Sequence, residues 1–154
     1  MKHFIDISDF NTKKIDSILK NAKLIKKNPS KFSNKCKDLT LGMIFQKDST
    51  RTRVSFNIGF QKLGGKIIEL NADSIGFGKR ESYEDVIKTL SQFIDVLMIR
   101  NDDHDIIRNL SSLNALPIIN GLSNYSHPCQ ILSDMFTINE IIGNIKNKTI
   151  SWIG

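Results

Sequence analysis

The sequence predicts an α/β fold built on a parallel sheet of about four strands, flanked by helices on both faces. Short apolar runs alternate along the chain with longer segments in which apolar residues recur at helical spacing. The predicted strands are also apolar throughout rather than alternating, which is typical of strands covered on both faces of a parallel sheet. We therefore expect ligands to bind beyond the carboxyl ends of the strands.

Each predicted helix has apolar residues at helical spacing, and several have recognisable ends. In the first helix, lysines alternate with isoleucine, leucine and alanine, and Asn28-Pro29 ends the pattern. Ser82 is the predicted N-cap of the third helix, with Asp85 in its first turn. The five helices are predicted over 9–27, 52–63, 83–93, 103–113 and 130–142.

Strands are predicted where a short apolar run lies between turn signals. The run that ends at Phe45 is the first, and Gly64-Gly65 separates the following helix from the second. A polar connector over 30–37 and a glycine-containing loop over 71–81 join other elements. The strands are predicted over 38–45, 66–70, 95–100, 117–120 and 148–153.

Composition and charge exclude several classes of protein. The 154 residues suit one sizeable domain, and the chain has no run of about 18 apolar residues that would predict a membrane span. The net charge of +6 comes from lysines within residues 1–37, which are not interleaved with arginines or aromatic residues. We therefore expect no nucleic-acid partner. The N-terminus lacks a signal-peptide core, so we expect a cytoplasmic protein.

The two cysteines predict neither a disulfide framework nor a metal site. Cys36 and Cys129 are far apart in sequence and form no C-x-x-C pair. Cys129 lies two residues from His127, but one Cys and one His are too few ligands for zinc. We expect reduced thiols that pack in the fold or line a pocket.

A cluster of hydroxyl and guanidinium groups lies between the first predicted strand and the next helix. Backbone N–H groups and the helix dipole at such a turn attract anions, and the side chains add further donors suited to phosphate. The alternative is a hydroxyl that simply caps the helix beside solvated arginines. No acidic residue occurs in the first turn, which raises the anion site to an equal standing with the capped helix. The residues are Ser49, Thr50, Arg51, Thr52 and Arg53.

Further polar residues end or follow the later strands. Arg100 ends the third strand, and His127 and Gln130 follow the fourth. Each has an ordinary alternative: Arg100 as an ion pair with Asp102 or Asp103, His127 as a cap or core residue, and Gln130 as an exposed helix residue. The carboxyl ends of parallel strands meet at one edge of the sheet, so we expect a shared site.

These motifs resemble those of the aspartate/ornithine carbamoyltransferase family, in the family's order and spacing. The resemblance covers essentially the whole chain. It rests on Phe45-x-Lys47-x-Ser49-Thr50-Arg51-Thr52-Arg53, Gly64-Gly65, Glu81-Ser82-x-Glu84-Asp85, Met98-Ile99-Arg100, Asn120-Gly121-Leu122 and His127-Pro128-Cys129-Gln130.

The resemblance implies a role for each site residue. It implies that Ser49, Thr50, Arg51 and Thr52 hold the phosphate of carbamoyl phosphate. Arg100 and His127, with Thr52, would address its carbonyl oxygen, and Gln130 would accept from its amide. The implied catalytic residues are Arg51, Arg100 and His127. An amine attacks the carbonyl and phosphate leaves, so this chemistry requires no metal and no cofactor.

The resemblance also implies an acceptor. The stretch Asn120 to Asn124 and the His-Pro-Cys-Gln motif resemble the versions in family members that use ornithine. The implied reaction is carbamoyl transfer to the side-chain amine of L-ornithine, giving L-citrulline and phosphate in arginine biosynthesis or catabolism. The alternatives are another amine (aspartate, acetylornithine or putrescine) or a non-catalytic carbamoyl phosphate-binding or assembly module.

The resemblance further implies a homotrimer, in which a loop from the neighbouring subunit reaches into the active site. Gly76 stands where many ornithine enzymes have a glutamine in that loop, and Ser74, Lys79 or Arg80 are the candidate substitutes. Residues 1–147 are predicted to form the carbamoyl phosphate-binding domain, and 148–154 the first strand of an amino-acid-binding domain otherwise absent from this sequence. We therefore expect residues 1–154 alone to have negligible turnover.

Overall fold

The computed structural model describes residues 2–143 and 147–151. Its centre is a parallel sheet of four strands in the order β2-β1-β3-β4, which confirms the predicted α/β fold. Short 3-10 turns lie at Ile7–Asp9 and Pro29–Phe32. The strands are β1 (Thr40–Phe45), β2 (Lys66–Asn71), β3 (Val96–Arg100) and β4 (Ile118–Leu122), and the helices are α1 (Thr12–Lys27), α2 (Thr50–Lys62), α3 (Tyr83–Leu90), α4 (His104–Ser112) and α5 (Pro128–Ile141).

Helices cover both faces of the sheet, because alternate residues of each buried strand point to opposite sides. On one face, Ile44 and Ile99 belong to an apolar cluster that includes residues of α3 and α4. On the other face, Met43 and Met98 pack with Phe56 of α2. α5 lies on the same face as α2, and α1 packs against α5 through residues such as Lys26, whose Nζ contacts Glu140 Oε2 at 2.6 Å.

The strand order places a crevice between β1 and β3. From β1 the chain first builds outwards to β2 and then returns to build β3 and β4 on the opposite side. Ligands of open parallel sheets bind at this reversal, outside the carboxyl ends of the two central strands. Phe45 ends β1 beside Arg100 at the end of β3. The segment after Phe45 and the side chain of Arg100 therefore meet at the crevice.

Two boundaries near this crevice differ from the predicted ones. α2 begins at Thr50 rather than residue 52, because extended Ser49 caps it and accepts from Thr52 N at 3.4 Å. α5 begins at Pro128 rather than residue 130, since proline suits the first turn of a helix. Thr50 and Thr52 thus lie in the first helical turn.

No strand forms in the described part of 148–153, which is predicted as the first strand of an amino-acid-binding domain otherwise absent from this sequence. Residues 148–151 form neither strand nor helix, and residues 152–154 lie outside the described residues. A strand is stabilised by pairing its backbone groups with a neighbouring strand, and residues 148–151 pair with no strand of the described chain. An apolar run alone could not reveal this. The division into two domains stays a prediction.

Gly64 and Gly59 provide a matched test of the fold. Gly64, just after α2, has φ +90°, and an added Cβ would lie 2.3 Å from the Ser33 carbonyl oxygen. Gly64→Ala is expected to lower the free energy of unfolding by about 3 kcal/mol, because it combines backbone strain with overpacking. Gly59, inside α2, has open space where an alanine methyl group would lie. Gly59→Ala should therefore raise the free energy of unfolding by about 1 kcal/mol. Chemical denaturation measures both, and equal effects would contradict the described packing.

Candidate functional site

The N-terminus of α2 forms the first half of the site. Ser49 has extended backbone angles (φ −153°, ψ 104°), and its Oγ donates to Thr52 Oγ1 at 3.0 Å. The backbone N–H groups in the first turn of a helix have no intrahelical acceptor, and no acidic side chain occupies this turn. The turn therefore presents unneutralised donors and the positive end of the helix dipole.

Arg100 connects this turn to the centre of the sheet. Its Nη1 donates to Thr52 Oγ1 at 3.4 Å, and its buried Nε has no hydrogen-bond partner. The alternative ion pair is wrong: Asp102 pairs with Lys47, and Asp103 caps α4. No carboxylate within the described residues neutralises Arg100, so its charge is available to an anion.

The Thr52 hydroxyl is oriented by these contacts. Its oxygen accepts from Ser49 Oγ and from Arg100 Nη1. A hydroxyl oxygen has two acceptor sites and one proton. With both acceptor sites used, the Thr52 proton is left to donate to a further group in the crevice.

His127 approaches the same crevice from the start of α5. Its side chain does not cap the helix, and its buried Nδ1 has no hydrogen-bond partner. Burial, with the nearby positive charge of Arg100, lowers the pKa of His127 below its ordinary value, although Asp134 acts in the opposite direction. The imidazole is therefore neutral at pH 7, and one ring nitrogen carries a proton that it can donate.

The lowered pKa of His127 predicts a loss of stability in mild acid. Between the folded-state pKa and the unfolded value of about 6.5, the unfolded chain binds more protons, so stability rises with pH. Relative to His127→Asn, the unchanged protein should lose unfolding free energy as pH falls below about 6.5. Urea unfolding of both proteins from pH 7.5 to pH 5 measures this difference. A difference that does not change with pH would contradict the lowered pKa.

A cleft of about 240 Å³ lies between α2 and α5. It brings together Arg51, Thr52, His127 and Gln130, each of which the sequence predicts as a site residue. The other predicted residues, Ser49, Thr50 and Arg100, are not among its lining residues, and Arg100 is joined to it through the contact with Thr52. The sequence reasoning missed three lining residues, although helical spacing from Thr52 and Gln130 could have found them. These are Ser55, Phe56 and Ser133.

The comparison with known families agrees with this geometry. A sequence model described as "Aspartate/ornithine carbamoyltransferase, carbamoyl-P binding domain" matches residues 2–140. The chain belongs to this family. The resemblance predicted from the motifs is thus confirmed.

Individual carbamoyltransferases match along nearly the whole chain. This chain is 41% identical to the ornithine carbamoyltransferase of Cupriavidus taiwanensis, and the match covers 100% of this chain and 51% of that protein. The chain is 35% identical to the solved ornithine carbamoyltransferase from Burkholderia thailandensis, with a TM-score of 0.88. The match covers 94% of this chain and 51% of that one. The chain is 33% identical to the catalytic subunit of M. jannaschii aspartate transcarbamoylase, with a TM-score of 0.85. That match covers 94% of this chain and 49% of that subunit. The chain therefore spans about half the length of these relatives.

Gln130 and Cys129 lie at the start of α5 in this carbamoyltransferase domain. Gln130 is exposed, and its Nε2 donates to Asp134 Oδ1 at 2.8 Å, which leaves its Oε1 directed away from that carboxylate. Cys129 is not a nucleophile, because burial raises the pKa of its thiol to about 12. Its Sγ lies 3.6 Å from the Asn120 carbonyl oxygen, so it contributes packing to the wall of the cleft.

Arg53 lies in the predicted anion motif but is a structural residue in this domain. Its Nε donates to Glu69 Oε1 at 2.6 Å, and its Nη2 donates to Asp48 Oδ1 at 3.0 Å. The guanidinium also lies 4.8 Å from the centre of the Phe45 ring. These carboxylates raise the pKa of Arg53 and neutralise its charge. Arg53 is therefore paired with carboxylates and not free to bind an anion.

The loop that the resemblance assigns to a neighbouring carbamoyltransferase subunit is folded onto its own chain. Gly76 is buried with φ +65°, and three following backbone N–H groups donate to its carbonyl. Lys79 Nζ contacts Asp73 Oδ1 at 2.7 Å, and Ser74 N donates to Asn71 Oδ1 at 3.0 Å. None of the three lines the cleft of its own chain, and their role in a neighbour stays a prediction.

Residues 2–143 and 147–151 contain neither a clustered metal site nor a membrane-spanning helix. Within these ranges, no group of three His, Cys, Asp or Glu side chains is placed to bind a metal ion. None of the helices there is both long and apolar enough to cross a membrane.

Proposed function

We propose that this chain binds carbamoyl phosphate in the cleft between α2 and α5. The reaction that it serves is carbamoyl transfer to the side-chain amine of L-ornithine, giving L-citrulline and phosphate. The observation that carries the proposal is the contact between Arg100 and Thr52, which joins an anion-binding helix terminus to a second group of donors. A phosphate alone would need only the helix terminus.

The phosphate end of the ligand is proposed to bind at the first turn of α2. Backbone N–H groups and the hydroxyls of Ser49, Thr50 and Thr52 supply donors, and Arg51 lines the cleft. A guanidinium fork matches the oxygens of phosphate and neutralises the charge that develops as phosphate leaves. Arg51 is therefore the proposed catalytic residue at the leaving group.

The carbonyl end is proposed to face Thr52, Arg100 and His127. The acceptor amine adds to the carbonyl carbon, and the carbonyl oxygen becomes an oxyanion in the tetrahedral intermediate. Donors fixed before the reaction stabilise that charge, which is commonly the largest catalytic contribution. The leaving phosphate takes the amine's proton in this scheme. The Gln130 Oε1 accepts from the carbamoyl amide.

The choice of L-ornithine rests on the names of the relatives. The relatives from Cupriavidus taiwanensis and Burkholderia thailandensis are named ornithine carbamoyltransferases. The M. jannaschii relative is an aspartate transcarbamoylase of comparable similarity, so aspartate is the second candidate acceptor. Phosphate release from carbamoyl phosphate, with identification of the carbamoylated product, by protein from the organism that encodes it and supplied with L-ornithine, L-aspartate, acetylornithine or putrescine in parallel, tests the acceptor. Product from another amine but not from L-ornithine would overturn this choice.

The proposal extends to assembly and location. A homotrimer is proposed, in which Ser74, Gly76 and Lys79 approach a neighbour's cleft. Exposed apolar side chains on α2 (Val54 and Ile58, 53% and 47% exposed) support an interface between copies. Free thiols support a cytoplasmic, reducing location, with a role in arginine metabolism. Sedimentation equilibrium tests the trimer, and a monomer at all concentrations would contradict it.

Donor binding is tested by calorimetry with two ligands. Phosphonoacetamide is a stable analogue of carbamoyl phosphate, and methylphosphonate has the same phosphonate group without the amide. The chain should bind phosphonoacetamide with one site per chain and at least about tenfold more tightly, because only that ligand reaches the second group of donors. Equal affinities would reduce the cleft to a phosphate site, and no binding would contradict the proposed function.

A further inference from the structure

Buried hydrogen bonds hold the turn that carries His127. The turn joins β4 to α5, and Ser123 and Ser126 within it are both buried. The Ser126 carbonyl, which belongs to the peptide bond directly before His127, accepts from three donors. These are Ser123 N at 2.9 Å, Ser123 Oγ at 3.3 Å and Asn120 Nδ2 at 3.3 Å. They fix the orientation of the backbone at which His127 begins.

His104, at the start of α4, supports this turn. The residue is only 7% exposed, and its Nδ1 lies 2.8 Å from Ser123 Oγ. On the other side of the ring, Arg108 Nε donates to His104 Nε2 at 3.0 Å. A guanidinium can only donate, so Nε2 must accept and the ring proton must be on Nδ1.

The donor directions follow from that tautomer. His104 Nδ1–H donates to Ser123 Oγ, and the Ser123 hydroxyl proton is directed to the Ser126 carbonyl. The backbone N–H groups of Ser126 and Tyr125 also approach Ser123 Oγ, at 3.1 Å and 3.3 Å, and share its second acceptor site. A continuous relay therefore runs from Arg108 through His104 and Ser123 to the peptide bond before His127.

We propose that His104 and Ser123 are positioning residues for His127. Neither lines the cleft between α2 and α5, and the polar side-chain atoms of both are already bonded within the relay, so neither is placed to contact the ligand proposed there. They set the backbone of the turn and thereby aim the imidazole at the carbonyl end of the ligand. This inference rests on the proposed function for its ligand, but it concerns elements other than the phosphate-binding turn of α2.

The separation between the two ends of the site gives a selective test. Ser49 and Thr52 on α2 build the phosphate end, whereas the relay acts on the turn before α5. If the relay served only stability, breaking it would lower the affinity for ligand groups at both ends of the site alike. A positioning relay should weaken binding at the carbonyl end and spare the phosphate end.

The first experiment compares Ser123→Ala with Ser126→Ala by calorimetry. Both changes remove one hydroxyl from the same buried turn, but the Ser126 hydroxyl makes none of the relay bonds. Ser123→Ala should lower affinity for phosphonoacetamide about tenfold and change affinity for methylphosphonate by less than about twofold. Ser126→Ala should leave both affinities near those of the unchanged protein. An equal loss for both ligands, or no loss for either, overturns the proposal.

The second experiment observes His127 directly by NMR in the ligand-free chain. The sequence has three histidines, so the ring resonances can be assigned by substitution. Ser123→Ala and His104→Leu should shift the His127 ring resonance. His104→Asn keeps an N–H near the Nδ1 position, so its His127 chemical shift should lie closer to that of the unchanged protein than the shift in His104→Leu does. A His127 resonance unaffected by Ser123→Ala and His104→Leu overturns the proposal. Failure of the unchanged chain to bind phosphonoacetamide contradicts the proposed function, and this resonance still tests the positioning.

Discussion

Replacing Arg51 with glutamine is expected to lower the affinity for phosphonoacetamide about 100-fold, because a charge-assisted contact to the phosphonate is lost. Arg51 is exposed at the first turn of α2 and lines the cleft. It makes no salt bridge to a carboxylate within the described residues, so its charge is not already neutralised. Isothermal titration calorimetry measures the loss, and methylphosphonate should lose affinity by a similar factor.

Arg53→Gln is the matched control. Arg53 lies two residues further along the same helix, but Asp48 and Glu69 neutralise its charge. The control should change affinity by less than about twofold and lower the free energy of unfolding only slightly, because exposed ion pairs contribute little to stability. Similar losses of affinity in the two variants would mean that net charge, rather than the placement of Arg51, controls binding.

Replacing Arg100 with methionine is expected to make the protein more stable while weakening its affinity for phosphonoacetamide. Arg100 is partly buried, its Nε has no partner, and no carboxylate of the described chain pairs with it. Removing this unpaired charge while keeping most of the apolar stem should raise the free energy of unfolding by about 1 kcal/mol. Affinity for phosphonoacetamide should fall about 100-fold, since a charged donor to the carbonyl end is lost.

Arg100→Met should also change the titration of His127. Burial is the main cause of the lowered pKa of His127, and the charge of Arg100 is the second. Without that charge the pKa of His127 should rise towards its ordinary value while remaining below it. A pH titration by NMR measures the change. A less stable variant with an unchanged pKa of His127 would show that Arg100 is a structural residue rather than part of the site.

Much of the site could be predicted because it depends on local sequence and on strand order. Continuous apolar strands predict a parallel sheet, and that sheet gathers the ends of β1 and β3. Arg100 and the turn of α2 therefore meet as expected, as the contact to Thr52 at 3.4 Å shows. Small errors in helix boundaries at Ser49 and Pro128 did not affect this outcome.

Other features depend on contacts that sequence patterns do not contain. Arg53 resembles its neighbour Arg51 in sequence, and only its pairing with Glu69, 16 residues away, shows that it is structural. The relay from His104 to Ser123 spans 19 residues and connects α4 to the turn before α5. Neither pairing follows from spacing or composition, because both are set by how α2 and α4 pack on the sheet.

The central claim is that one cleft binds both ends of carbamoyl phosphate. A crystal structure of this chain with phosphonoacetamide tests the claim most directly. We predict the phosphonate at the first turn of α2, contacted by Arg51, with the amide oxygen within hydrogen-bond distance of Thr52, Arg100 and His127. A ligand bound elsewhere, or one whose amide points away from Arg100 and His127, would contradict the account.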